Sequence, residues 1–147
     1  MKLPREVRRR FQAYGRTGGR ARAERMTPEE RRRVARRAVL CRWTRARFGA
    51  DSFAPLGMPG GDVIDAGLEA LMSGSETVES LVVSLAAPRL RREGVPVPAA
   101  TLRNADTRLY RLLEETAGEL AHARYLAHLR QVASFCDACR HVRRHSE

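Results

Sequence analysis

Lysine is almost missing from this chain: of its 28 basic residues only Lys2 is lysine, and the other 27 are arginine. Without a lysine and a hydroxyl residue behind a glycine-rich turn, no segment can serve as a nucleotide-hydrolysing P-loop. Aromatic residues make up 5% of the sequence, which is thin, although a hydrophobic content of 43% is enough for a modest core. Long apolar runs are absent too. The most apolar stretch, Leu81 to Ala87, is short and is interrupted by Ser84, far from the length that spans a bilayer. The first residues, MKLPREVRRRFQAYG, lack the apolar centre of a secretory signal. They also lack serine and contain Glu6, which argues against an organelle transit peptide. Three cysteines, an odd number without a secretion signal, point to reduced thiols. The expectation is a soluble cytoplasmic protein with no membrane partner.

What the chain does hold is positive charge on one side. Residues 1–50 carry 17 basic and 4 acidic side chains, a surplus of +13, whereas residues 51–147 carry 11 basic and 13 acidic ones, a deficit of −2. Replacement of lysine by arginine can follow from a GC-rich genome, but that bias does not explain the uneven distribution. A guanidinium is permanently charged and binds phosphate oxygens in a bidentate fork. Concentrating arginine in one third of a 147-residue chain is therefore the footprint of a polyanion partner. The bland alternative is a solvated arm.

Periodicity predicts helices throughout, and no alternating β-branched segment competes. Leu3, Val7, Phe11 and Tyr14 recur at +4, +4 and +3, with Arg5, Arg8, Arg9 and Arg10 around them. Gly15-Arg16-Thr17-Gly18-Gly19-Arg20 predicts a flexible turn after that helix. Thr27-Pro28-Glu29-Glu30 opens a second helix, to about Phe48, with a capping box between Thr27 and Glu30. Its expected apolar stripe is Ala35, Val39, Trp43 and Ala46, with Val34, Ala38, Cys41 and Phe48 beside it. Arg32, Arg33, Arg36, Arg37 and Arg47 gather on the other side. Residues 49–61, with two prolines and four glycines, predict a linker from which Phe53, Leu56 and Met58 can dock on a neighbour.

Beyond it, Asp62 and Asp106 are candidate caps, and Pro88 is expected to end or kink a helix begun near Val78. Gly118 marks a weak point before a long last helix. Ala121, Tyr125, Leu129, Val132, Cys136 and Cys139 follow one face of that helix. The fold class expected is all-α: a basic N-terminal helical arm (1–48), a linker (49–61) and a small helical bundle (62–147).

The run Gly15-Arg16-Thr17-Gly18-Gly19-Arg20-Ala21-Arg22-Ala23, then Met26-Thr27-Pro28-Glu29-Glu30-Arg31, an alanine/arginine helix and Trp43, resembles a recurring bacterial pattern. It is similar to the G-R-x-G-G-x-A-R-A…T-P-E-E-R…A-x-x-A…W motif of small basic bacterial and phage proteins, most of which have no assigned function. The resemblance covers roughly residues 15–43. It implies a compact helical basic module of bacterial or phage origin and identifies no catalytic residue.

Three constellations invite chemistry. Cys136-x-x-Cys139-x-His141-x-x-x-His145 has cysteines and histidines at suggestive intervals, but no loop separates the pairs to wrap a zinc ion. On one helix both histidines point well over 100° from the cysteines, which read instead as small core residues. A site using Cys41 or a later loop stays as the alternative. Arg124 with His128, and Arg140 with His145, echo the Arg/His pairs of helical ribonucleases, but one pair is closely spaced and the other sits in the last turn. Glu114, Glu115 and Glu119 form an acidic patch that suits a solvated face or a dock for the chain's own arginines.

The function expected is therefore non-enzymatic nucleic-acid binding, with no catalytic residue, cofactor or metal. Arg16, Arg20 and Arg22 around the glycines, with Arg32, Arg33, Arg36 and Arg37 on the capped helix, are the expected phosphate contacts, and DNA ranks ahead of RNA. The bundle would form a homodimer or bind a protein partner, as in a small transcriptional regulator or an antitoxin. The alternatives are an RNA-associated protein and an adaptor whose basic arm docks on an acidic protein.

Overall fold

The computed structural model describes residues 4–145, and among them every regular element is helical. Six α-helices follow in order: α1 (Arg5–Arg25), α2 (Pro28–Phe48), α3 (Gly61–Ser73), α4 (Val78–Arg92), α5 (Ala105–Ala117) and α6 (Ala121–His145). Short 3-10 turns lie at Ala54–Leu56 and Gly118–Leu120. The chain divides into two compact units, residues 1–35 and residues 36–147.

In the first unit, α1 runs straight through the segment where the glycines predicted a turn. Gly15, Gly18 and Gly19 are absent from the positive-φ residues, and the Thr17 hydroxyl donates to the Ala13 carbonyl at 3.0 Å, the back-bond of a helical threonine. Glycine permits a left-handed turn but does not demand one. Here the arginines and alanines on either side are good helix formers, which offset a cost of roughly 1 kcal/mol per glycine. Pro4 occupies the N-cap position, and the helix stops at Met26, whose backbone is extended. Leu3, the expected first member of the apolar stripe, lies outside the described residues.

The second unit has its core where α3 packs on α4, α4 on α5, α5 on α6, and α6 returns against α4. The α3/α4 approach is the closest. A β-carbon built on Gly67 would lie 2.4 Å from the Glu79 carbonyl oxygen and 2.4 Å from a Val83 methyl. Helix α4 opens with a reciprocal cap in which the Thr77 hydroxyl accepts from the Ser80 N–H at 3.1 Å and the Ser80 hydroxyl from the Thr77 N–H at 2.8 Å. It does not end at Pro88, which sits inside the helix; Ala87 and Leu90 on either side are buried in the core and hold that turn in place. The caps of α3 and α5 are Gly60 and Asn104, both left-handed, with Asp62 and Asp106 inside the first turns. Gly118 does interrupt the chain between α5 and α6.

The expected linker is part of this core. Phe53 is 0% exposed, and the Asp65 carboxylate accepts the N–H groups of Phe53 (3.0 Å) and Ala54 (2.8 Å), fastening the segment to α3. Phe53 meets Phe135 edge-on at 4.8 Å between ring centroids, and Trp43 and Phe48 complete an aromatic cluster around it. The compact unit thus begins at Arg36 rather than after residue 61. Within it, α2 turns Leu40, Cys41, Thr44 and Phe48 inward, and Thr44 is fully buried with its hydroxyl on the Leu40 carbonyl. Of the stripe expected from apolar spacing, Trp43 packs on the core, as does Phe48 from its flank, where Cys41 is half-buried; Val34 and Val39 are 46% and 50% exposed, and Ala35, Ala38 and Ala46 are exposed too.

On α6, Ala121, Val132, Cys136 and Cys139 are buried as the spacing predicts, whereas Leu129 is exposed and Phe135 takes the centre. Beside Cys139, Glu93 is 7% exposed and accepts from Arg140 Nε at 2.7 Å and from an Arg143 terminal nitrogen at 3.1 Å. These bonds tie the end of α4 to the last turns of α6.

Candidate nucleic-acid interface

Helix α1 buries none of its residues. At about 100° per residue, Arg5, Arg9, Arg16 and Arg20 fall within a 60° arc and form one row, spaced by 4, 7 and 4 residues. With a rise of 1.5 Å per residue the row is roughly 22 Å long. Among the described residues none of the four makes an ion pair. Arg16 and Arg20, expected from sequence, belong to this row; Arg22 projects more than 100° away from it. Arg5 and Arg9 were overlooked because a turn at residues 15–20 would have separated them from the other two. Their spacing carries the signal once the helix continues.

On α2 the expected capping box forms. The Thr27 N–H donates to Glu30 Oε2 at 2.7 Å, and the Glu30 N–H donates to Thr27 Oγ1 at 3.2 Å. The bond from the Thr27 N–H and, after it, the Thr27 hydroxyl hold the Glu30 carboxyl below its usual range, with Arg33 adding to the effect. Arg32, Arg33 and Arg36 are exposed and free of ion pairs. Arg37 is not free: its NH1 lies 3.5 Å from Glu69 Oε1 in an exposed pair. Such a pair is worth at most about 1 kcal/mol, so a phosphate can compete for that guanidinium. Further along, Arg45 forks onto Asp51 at 2.6 Å through two nitrogens, which raises its pKa, and Arg47 stands over the Trp43 ring at 5.6 Å.

The cysteine and histidine groups separate. Cys136 and Cys139 lie in the core, where burial pushes the Cys136 thiol up and the Cys139 thiol up to about 12. The His141 and His145 rings lie 4.1 Å apart, and His145 Nδ1 donates to the His141 carbonyl. Among the described residues no group of three or more His, Cys, Asp or Glu is placed to hold a metal ion. His128 bonds Gln131 rather than Arg124, and Arg140 is engaged by Glu93 and Asp137, so neither Arg/His combination weighed from the sequence is assembled. No helix among the described residues is long and apolar enough to cross a membrane.

No family model matches the chain, and neither does any curated protein or solved structure with which it was compared.

Proposed function

We propose that this protein binds nucleic acid without chemistry, through a basic N-terminal arm, as a small regulator or antitoxin-like protein does. The observation that carries the reading is the row Arg5, Arg9, Arg16 and Arg20, four unpaired guanidinium groups along a helix with no buried residue. Unpaired arginines at fixed intervals on a helix can each fork onto a phosphate oxygen pair without first giving up a protein partner. Arg32, Arg33, Arg36 and Arg37 on α2 extend the positive surface. These contacts position the protein and carry no sequence information themselves.

The test is fluorescence anisotropy with labelled duplex DNA and single-stranded RNA over a salt series, each with unlabelled competitor. Six to eight phosphate contacts give a slope of log affinity against log salt near −5 to −7 on duplex DNA. Changing Arg9, Arg16 and Arg20 to Gln together reduces the steepness by about 3 and weakens binding uniformly across sequences. An unchanged slope in that triple variant removes the arginine row from the interface. Tighter binding to the RNA makes RNA the partner.

A further inference from the structure

Opposite its arginine row, α1 carries a second face that nothing in the nucleic-acid reading uses. Val7, Phe11, Tyr14, Gly18 and Ala21 succeed one another at +4, +3, +4 and +3, and Phe11 and Tyr14 are 66% and 74% exposed. Two large rings held in water on the same face of one helix form an interaction surface rather than scattered apolar residues. Arg10 lies at the margin of this face.

The second unit holds an open groove of matching character between α5 and α6. Tyr110 and Tyr125 meet at 5.7 Å to form its floor, and His122 packs on Tyr110 at 6.3 Å. Asp106, Tyr110 and Glu114 follow at intervals of four along α5, so a carboxylate stands on either side of the tyrosine. Both carboxylates are exposed and neither makes an ion pair among the described residues, while Arg111, which lines the same groove, is already answered by Glu115 at 3.6 Å. In a chain of net charge +11 this is a local acidic, aromatic surface. Phosphate is repelled there, and a basic helix with exposed rings is attracted.

We infer that the α5/α6 groove receives the apolar face of α1 from a second copy of this chain, with Phe11 and Tyr14 against Tyr110 and Tyr125, and Arg10 among the carboxylates of Asp106 and Glu114. The occupant follows from complementarity in both terms: rings meet rings, and arginine meets unpaired carboxylate. Two copies exchanging α1 make the same contact twice, as a closed two-fold dimer requires. Because the Arg5/Arg9/Arg16/Arg20 row lies on the other side of the helix, docking leaves it outward. The inference does not depend on nucleic acid, since its readout is mass in the absence of any.

The experiment is sedimentation equilibrium on the full chain, without nucleic acid, over a range of micromolar concentrations. The wild type is expected to be a dimer, and both Phe11→Ser/Tyr14→Ser and Asp106→Lys/Glu114→Lys are expected to be monomers with unchanged far-UV circular dichroism. Mixing the two variants restores one intact contact, since one copy keeps its groove and the other its helix. A heterodimer seen by native mass spectrometry, weaker than the wild-type dimer, is the expected result. A wild-type chain that stays monomeric overturns the inference, including the case in which each α1 lies on its own groove. A dimer lost on changing Phe11 and Tyr14 but kept with Asp106→Lys/Glu114→Lys also overturns it, because the α1 helices then pair with each other.

Discussion

Glu93 is the residue on which the second unit depends most visibly for charge. Its carboxylate is withdrawn from water and answered by two arginines one turn apart on α6, whose own side chains stay partly in solvent. Changing Glu93 to Ala removes two charge-assisted bonds that join the end of α4 to α6, and is expected to cost about 2–3 kcal/mol in urea unfolding. Changing Arg143 alone leaves Arg140 in place and is expected to cost about 1 kcal/mol or less. A few ångströms away, Cys139 supplies a pH dependence. Burial keeps its thiol protonated until about pH 12, whereas in the unfolded chain it ionises near 9. Between those values the native state holds the proton that the unfolded state has released, so the contribution is complete below about pH 9 and is lost as pH rises toward 12. Unfolding free energy measured at pH 8 and pH 10.5 should therefore fall more steeply in the wild type than in Cys139→Ala. The same protonation predicts negligible reaction of Cys139 with thiol reagents in the native protein.

At the scale of elements, one substitution separates two kinds of glycine. Changing Gly18 or Gly19 to Ala adds a methyl where nothing lies within 4 Å, so helix propensity alone acts and mean-residue ellipticity at 222 nm should become more negative. A turn at that place would give the opposite sign. Changing Gly67 to Ala pushes a methyl into the Glu79 backbone and should destabilise the α3/α4 pair by about 2–3 kcal/mol in urea unfolding.

The contrast also marks what the sequence could convey. Thr27 with Glu30 announced the start of α2, and Val132, Cys136 and Cys139 announced the inner face of α6, because capping and periodicity act within one helix. The inner face of α2 was partly legible: Trp43, Cys41 and Phe48 do turn inward, but Ala35, Val39 and Ala46 do not. Its apolar residues are mostly alanine and valine spread among arginines, and the choice between two weak stripes fell to Phe53, which packs on Trp43 and Phe48 from beyond the end of the helix. Phe53 itself sits among glycines and prolines that look like a linker, and its role depends on Asp65, twelve residues later. The arginine row on α1 was half legible. Arg16 and Arg20 stood out beside the glycines, but joining them to Arg5 and Arg9 required knowing that the helix did not stop.

For the whole molecule, the division of the chain predicts two different truncations. Removing residues 1–26 takes away α1 and leaves the start of α2 capped. At concentrations too low for dimers to form, that protein should keep the unfolding midpoint of the full chain; under the proposed function it should also lose most of its affinity for DNA, with a flatter salt slope. Removing residues 1–48 also takes Leu40, Trp43, Thr44 and Phe48 out of the core, and should cost at least about 3 kcal/mol even though the helices from α3 onward remain. Calorimetry on the two truncated proteins separates these outcomes.

Trp43 is the sole tryptophan, and it is packed against Phe48 and Phe53 in the second unit. Excited at the red edge of indole absorption, where the three tyrosines do not absorb, the molecule carries one emitter, and that emitter watches one part of it. On heating at concentrations too low for dimers to form, circular dichroism sums every helix, including α1 with no buried residue, while tryptophan emission follows only the surroundings of Phe53. The dichroic signal should begin to decline at lower temperature than the emission shifts to the red, and the interval between the two curves should close when residues 1–26 are absent. Light of two wavelengths thus reads the two units of the chain separately, with no label attached.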